Sequence, residues 1–408
     1  MKIAFIFPGQ CSQYIGMGKS VFHEYHEARM VFEEASDILG YDISRICFQG
    51  PISQLVEGET LYCAIAVVCV ATYRSFIKEH PFTPFISAGH SLGEYAALVC
   101  NGALSLTDSL NLIRERTRCG IRINREKEAC MLIINGTATD LFLRRCDEKN
   151  VWLACQNSED QIILSGYQSS LKRISEYALL LGAQVIPLFD SPPFHCNLMN
   201  ETVEYFSELV ESCRFCTQQY PVISNTKAEP LLGSEDTRKE LTEQLVKPVL
   251  WKNTIQRIEN ANVSLYIDFG PRDILQASIQ NLRSSSKYLC LNEKRGWQEA
   301  AELLKNYTDS FSIQDRQQQD IQQFLSKCIT TVLCTPTIIQ QQDKYEEFLY
   351  NYQAIEALES QALKNVELAK QKAIKHVYAC LQSKMMSDKH IKQIIIDLSQ
   401  EAGFNINT

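Results

Sequence analysis

The stretch Phe85-Ile86-Ser87-Ala88-Gly89-His90-Ser91-Leu92-Gly93-Glu94-Tyr95-Ala96-Ala97-Leu98-Val99-Cys100 constrains this chain more than any other. A short apolar run leads into Gly-x-Ser-x-Gly and then into good helix-forming sequence. In that context the pattern forms a nucleophile elbow, a strained strand-to-helix turn. Both glycines are needed, because a side chain at either would collide with the neighbouring strand and helix. Ser91 then stands at a helix N-terminus beside the Leu92 backbone N–H, where the dipole favours developing negative charge. The bland alternative is a tight turn with no chemistry, and the flanking strand and helix weigh against it.

The rest of the chain supplies a setting for such a turn. From Lys2 to Arg122 short apolar runs, beginning with Ile3-Ala4-Phe5-Ile6-Phe7, alternate with helical stretches at Ser20 to Leu39, Cys63 to Glu79 and Thr107 to Arg122. That is the pattern of βα units and a parallel sheet. Charged residues Glu126 to Glu128 then introduce Ala129 to Asn135, a helical 137–148, Val151 to Ala154, Gln161 to Ser165, a helical Ser170 to Leu181 and Ala183 to Leu188. The order β-α-β-β-α-β is that of a ferredoxin-like insertion. After Ser191-Pro192-Pro193 the βα style returns through Pro221 to Ser224 and Leu265 to Phe269, ending near Trp297. From Ala300 onward one proline, one glycine and glutamine clusters at 317–323 and 340–342 leave an almost wholly helical segment. The fold class expected is α/β: an α/β-hydrolase-like large subdomain at 1–124 and 192–299, a ferredoxin-like subdomain at 125–191 and a helical C-terminal extension at 300–408. Its apolar residues Phe348, Tyr352, Ile355, Leu358, Ile374, Val377 and Leu381 recur at helical spacing, so this extension packs on something.

A length of 408 residues allows two or three folded units, and the net charge of −8 removes the electrostatic footprint of a nucleic-acid binder. No apolar run approaches the roughly 18 residues needed to cross a bilayer, which argues against a membrane partner. The 16 cysteines sit singly in apolar stretches and read as reduced thiols of a cytoplasmic protein. Cys213-Arg-Phe-Cys216 has metal-ligand spacing but no second pair beside it, so no metal site is expected.

A serine hydroxyl needs a base within hydrogen-bond reach. The chain has seven histidines. His23 and His26 lie on a polar helix face, His80 precedes proline in a loop, and His376 and His390 belong to the helical tail. His90 lies inside the elbow and points away from the side the serine faces. His195, in Asp190-Ser191-Pro192-Pro193-Phe194-His195, follows a proline-stiffened turn and is the best candidate. Arg114, Arg116 and Arg118, taken by themselves, are a solvated basic helix face.

The blocks Phe7-Pro8-Gly9-Gln10-Cys11-Ser12-Gln13, Gly89 to Tyr95, Gln156-Asn157-Ser158 with Gln161, Pro193-Phe194-His195 with Leu198-Met199, Pro221 to Asn225, and Phe269-Gly270-Pro271 occur in order. Over residues 1 to 297 they resemble the malonyl-CoA:acyl carrier protein transacylase family, which includes the trans-acting acyltransferases of polyketide synthases. The resemblance implies that Ser91 attacks the thioester of an acyl-CoA, malonyl-CoA above all, while His195 moves the proton. The main-chain carbonyl of Gln244 would hold the imidazole, and the N–H groups of Gln10 and Leu92 would form the oxyanion hole. Arg116 would grip the malonyl carboxylate, with Tyr62, Phe194 and Asn157 at the other substrate positions. The implied partner is an acyl carrier protein, the setting polyketide or fatty acid biosynthesis, and no cofactor is needed because CoA enters as substrate. The cleft between the first two subdomains would hold the site, and the C-terminal helices could dock a synthase. Cys11 departs from the family's glycine, Tyr62 from its pocket glutamine, and Asp190 and Arg272-Asp273 add charges near the motifs. Two other functions remain open on the residues alone: a hydrolase that clears acyl groups from carrier proteins, and an inactive docking protein.

Overall fold

The computed structural model describes residues 1–136, 143–144, 150–188, 190–281, 285–309, 321, 324–332, 342–361, 366–384 and 386–401. The chain divides into two compact units. The first is Met1–Cys216 with Val222–Pro230 and Arg238–Ala301, and the second is Thr217–Pro221 with Leu231–Thr237 and Glu302–Thr408.

The first unit holds two sheets. Strands β1 (Ile3–Phe7), β2 (Ile86–Gly89), β7 (Val222–Ile223), β8 (Leu265–Asp268) and β9 (Lys287–Cys290) form a parallel sheet in the order β7-β2-β1-β8-β9. β1 is buried on both faces, which is why it reads as an unbroken apolar run. Phe5 and Phe7 stack among Tyr73 and Phe269 on one face. Ala4 and Ile6 pack on the other with Trp251, Ile255 and Ile258. Strands β3 (Ala129–Asn135), β4 (Val151–Gln156), β5 (Gln161–Tyr167) and β6 (Gln184–Leu188) form an antiparallel sheet in the order β4-β5-β3-β6, the ferredoxin-like arrangement, with the helix Gln168–Leu180 packed on it.

Several expectations need correction. The helix read as Ser20 to Leu39 is two, Lys19–Glu24 and His26–Leu39, broken at an extended Tyr25 whose ring stacks on Trp297 at 4.6 Å. The helix Leu106–Lys127 runs past Arg122, so the crossing into the second sheet falls at Glu128, in the left-handed region at φ 49°. Strand β9 was not anticipated. It is only four residues long, an edge position that needs little apolar patterning. The helix Thr60–Glu79, 20 residues with mean hydropathy 1.6 in its best window, is long and apolar enough to cross a bilayer, contrary to the sequence reading. That window is 83% buried, so the helix is apolar because protein surrounds it. The expected helix at 137–148 falls almost entirely outside the described residues, as do most of the glutamine clusters.

In the second unit the helices Gln342–Gln361, Val366–Ser383 and Asp388–Glu401 and residues 324–332 bury a core of their own. Phe348, Tyr352, Ile355, Leu358, Ile374, Val377 and Leu381, the residues at helical spacing, all lie in it.

Candidate active site

β2 ends at Gly89 and the helix Leu92–Cys100 starts two residues after His90, with Ser91 as its N-cap at φ 51° and ψ −105°. This is a strained conformation for a residue with a side chain. It is enforced from both sides: a Cβ on Gly89 would lie 2.0 Å from Gly93 backbone atoms, and one on Gly93 would lie 2.0 Å from the Phe7 carbonyl oxygen. Only glycines let the elbow helix approach β1 and β2 so closely.

The turn aims Ser91 at His195, which lies 104 residues further along, with Oγ 2.7 Å from Nε2. His195 itself sits at φ 64°, and its backbone N–H donates to the Leu245 carbonyl at 2.8 Å. Its Nδ1 lies 2.7 Å from the Gln244 main-chain oxygen. A carbonyl can only accept, so Nδ1 carries the proton and Nε2 turns its lone pair to the serine hydroxyl. Burial, and next the charge of Arg116, hold the imidazole well below its usual pKa, against the opposing pull of the Gln244 carbonyl. His195 is therefore neutral, the state a base requires.

Arg116 is not part of a solvated face. Arg114 and Arg118 meet Glu59 at the helix surface, whereas Arg116 is 1% exposed. Its guanidinium lies 3.9 Å over the Phe194 ring and 5.9 Å from that of Tyr95. Nη2 donates to Ser91 Oγ at 3.1 Å and lies 3.4 Å from His195 Nε2. Among the described residues no carboxylate pairs with it, and its Nε has no acceptor. Tyr62 is buried, with its ring edge-on to Phe194 at 6.0 Å. Burial pushes its phenol up to about 12, so it stays a donor, and its hydroxyl meets Gln10 Oε1 at 3.3 Å. Ser191 Oγ donates to the same oxygen at 2.8 Å. Neither the Gln10 nor the Leu92 backbone N–H finds an acceptor among the described residues. Cys11, next to Gln10, takes φ 80°, a conformation suited to glycine.

A cleft of about 420 Å³ opens beside the elbow. Gln10, His90 and Trp251 line it from the parallel-sheet side, and Asn135, Asn157 and Ile163 from the antiparallel side. His90 Nε2 reaches Asn157 Oδ1 at 2.7 Å, away from Ser91, and Asn157 Nδ2 donates to Gln161 at 2.8 Å. Of the extra charges, Arg272 lies 4.9 Å over the Tyr14 ring and Asp190 is exposed.

Two contributors escape a reading of the sequence. Asn225 Oδ1 accepts the Ser91 backbone N–H at 2.7 Å, and Glu94, fully buried, accepts from both Asn225 and Gln244. Both lie inside blocks quoted above, and nothing in those blocks tells a structural residue from a positioning one.

The sequence profile of the acyl transferase domain family matches residues 4–324. Over 315 residues the chain is 33% identical to the malonyl CoA-acyl carrier protein transacylase of Bacillus subtilis strain 168, covering 76% of this chain and 99% of that protein. The chain belongs to the malonyl-CoA:acyl carrier protein transacylase family. It is also 30% identical over 287 residues to the polyketide biosynthesis malonyl CoA-acyl carrier protein transacylase PksC of the same organism, covering 70% of this chain and 98% of PksC. The transacylase fold superposes on the crystal structure of FabD from Acinetobacter baumannii with a TM-score of 0.70 at 30% identity, covering 74% of this chain and 98% of that one. A malonyl-transacylase in complex with a type II polyketide synthase acyl-carrier protein matches with a TM-score of 0.71 at 29% identity, covering 74% and 99%.

Proposed function

We propose that this transacylase-family chain moves a malonyl group from coenzyme A to the phosphopantetheine thiol of an acyl carrier protein, through an acyl-serine intermediate. The observation that carries the reading is Arg116: a buried guanidinium, 3.1 Å from the Ser91 oxygen, with no ion-pair partner among the described residues. An unpaired buried charge is costly, and a substrate that brings a carboxylate to that place supplies the missing partner. A planar guanidinium holds such a group by two charge-assisted hydrogen bonds.

In the first half-reaction His195 Nε2 takes the Ser91 proton as Oγ attacks the thioester carbonyl. The N–H groups of Gln10 and Leu92 receive the developing oxyanion, a contribution worth roughly 100- to 1000-fold per donor. Collapse breaks the carbon–sulfur bond, and the departing thiolate takes the proton back from His195. In the second half the pantetheine thiol gives its proton to Nε2, its sulfur attacks the ester, and Ser91 leaves reprotonated. The Gln244 carbonyl stabilises the imidazolium in both halves without adding a buried negative charge. Acyl exchange of this kind needs no resident cofactor, and CoA is a substrate.

The reaction belongs to polyketide or fatty acid assembly in the cytoplasm, with the helical second unit docking a partner synthase. Intact-protein mass spectrometry after incubation with malonyl-CoA should show one malonyl adduct on Ser91 that carrier protein removes. A folded protein without that adduct sinks the reading. Free malonate appearing in place of malonyl-carrier protein would assign the chain to hydrolysis.

A further inference from the structure

We propose that Glu94 is a positioning residue for the dyad, a single buried carboxylate that sets the backbone around Ser91 and the carbonyl that orients His195. The inference rests on the Ser91–His195 chemistry above.

Its first oxygen accepts the Asn225 backbone N–H and the Asn225 side-chain Nδ2, each at 2.9 Å. Asn225 in turn accepts the Ser91 N–H through Oδ1 at 2.7 Å and donates from Nδ2 to the Gly89 carbonyl at 2.7 Å. The two peptide groups that define the strained turn are thus fastened to one asparagine, and that asparagine is fastened to Glu94. The second carboxylate oxygen accepts the Gln244 side-chain Nε2, which also donates to the Ser91 carbonyl at 3.2 Å. The Gln244 main-chain oxygen is the acceptor for His195 Nδ1. One carboxylate therefore reaches the Ser91 backbone and the His195 ring, each through a single intervening residue, and touches neither reacting atom.

The chemistry of the partners requires an acceptor here. Among the described residues the three hydrogen bonds to the Glu94 carboxylate all come from N–H donors, and Gln244 Oε1 is buried with no hydrogen-bond partner. The Gln244 amide thus presents its nitrogen to Glu94 and leaves its oxygen unsatisfied, an orientation that only an acceptor at position 94 rewards. Glu94→Gln would keep an oxygen for Asn225 but face Gln244 with an amide nitrogen. Gln244 would then turn its side chain over, and the Ser91 carbonyl would lose its donor. Glu94→Ala would cut both arms.

The test measures the rate of Ser91 acylation by saturating malonyl-CoA and, independently of substrate recognition, the rate of Ser91 labelling by a fluorophosphonate. Both are scaled to the fraction of protein that melts cooperatively, for Glu94→Gln, Glu94→Ala, Gln244→Ala and the Glu94→Ala/Gln244→Ala pair. A displacement near 1 Å can cost about 100-fold in rate. We expect that loss in Glu94→Ala and roughly a 10-fold loss in Glu94→Gln, with KM for malonyl-CoA unchanged. The double variant should lose less than the product of the two single losses, since Gln244→Ala removes an arm that Glu94→Ala already cuts. Wild-type rates in Glu94→Gln and Gln244→Ala overturn the proposal even if Glu94→Ala does not fold. So does a KM that rises in step with any loss of rate. Wild-type protein that ignores malonyl-CoA, while fluorophosphonate labelling still depends on Glu94, would instead remove the transfer reading and leave this one standing.

Discussion

Replacing Arg116 with alanine removes a guanidinium that is 1% exposed and lies 3.9 Å over Phe194, where water competes little for its hydrogen bonds. Two charge-assisted hydrogen bonds to the malonyl carboxylate contribute about 1.5 to 3 kcal/mol each, so the loss is about 3 to 6 kcal/mol, or roughly 150- to 25,000-fold in kcat/KM for malonyl-CoA. Acetyl-CoA carries no carboxylate and loses only the single, longer Nη2 contact on Ser91 Oγ, about 1.5 kcal/mol or roughly 10-fold. The same substitution leaves a mark on pH dependence. Arg116 is the second cause, after burial, of the depressed His195 pKa. Its removal therefore raises that pKa, and the acidic limb of kcat/KM moves to higher pH. The assay is single-turnover acylation of Ser91 with each thioester, resolved by adduct mass, across pH 5 to 8. Equal losses for malonyl and acetyl groups, or an acidic limb that stays put or moves down, would refute the assignment of Arg116 as carboxylate clamp.

Other outcomes follow from the same geometry. In the wild type kcat/KM should stay level as pH falls from 8 through 6.5, because free His195 titrates well below its ordinary value; a midpoint at 6.5 or above would contradict this. The unfolded chain binds protons at His195 from about pH 6.5 downward and the folded chain does not, so this stability is complete above 6.5 and lost as pH falls. The melting temperature of the wild type should accordingly drop more between pH 7 and 5 than that of His195→Asn, and parallel curves would count against it. Gly93→Ala places a Cβ 2.0 Å from the Phe7 oxygen and should cost more than about 4 kcal/mol, read as roughly 10 °C or more in melting temperature. Tyr62→Gln removes the ring that meets Phe194 edge-on and should raise kcat/KM for methylmalonyl-CoA relative to malonyl-CoA by about 10-fold; an unchanged ratio would show that Tyr62 does not bound the acyl pocket.

The elbow is legible in the sequence because its causes are local. Gly89, Ser91 and Gly93 lie within one turn, and the apolar strand before them and the helix after them can be read from neighbouring residues. The antiparallel sheet is legible for a similar reason, since β3 to β6 follow one another and each alternates or runs apolar in place. Arg116 shows where local reading ends. It shares a helix with Arg114 and Arg118, and composition cannot tell the one that turns inward from the two that meet Glu59. Only the register of the resemblance singles it out. At the break Tyr25 stacks on Trp297, far along the chain, a contact that no local pattern around residue 25 announces.

The sequence by itself determined the strained turn, the strand and helix periods around it and the family, because backbone sterics and burial patterns act over a few residues. What the tertiary structure alone decided is the meeting of parts: His195 with Ser91 across 104 residues, Asn225 with Ser91 across 134, and Gln244 with Glu94 across 150. Hydrogen bonds form over about 3 Å whatever the separation along the chain. Which groups come within that distance is set by how the sheets pack, and a one-dimensional string does not carry that information residue by residue.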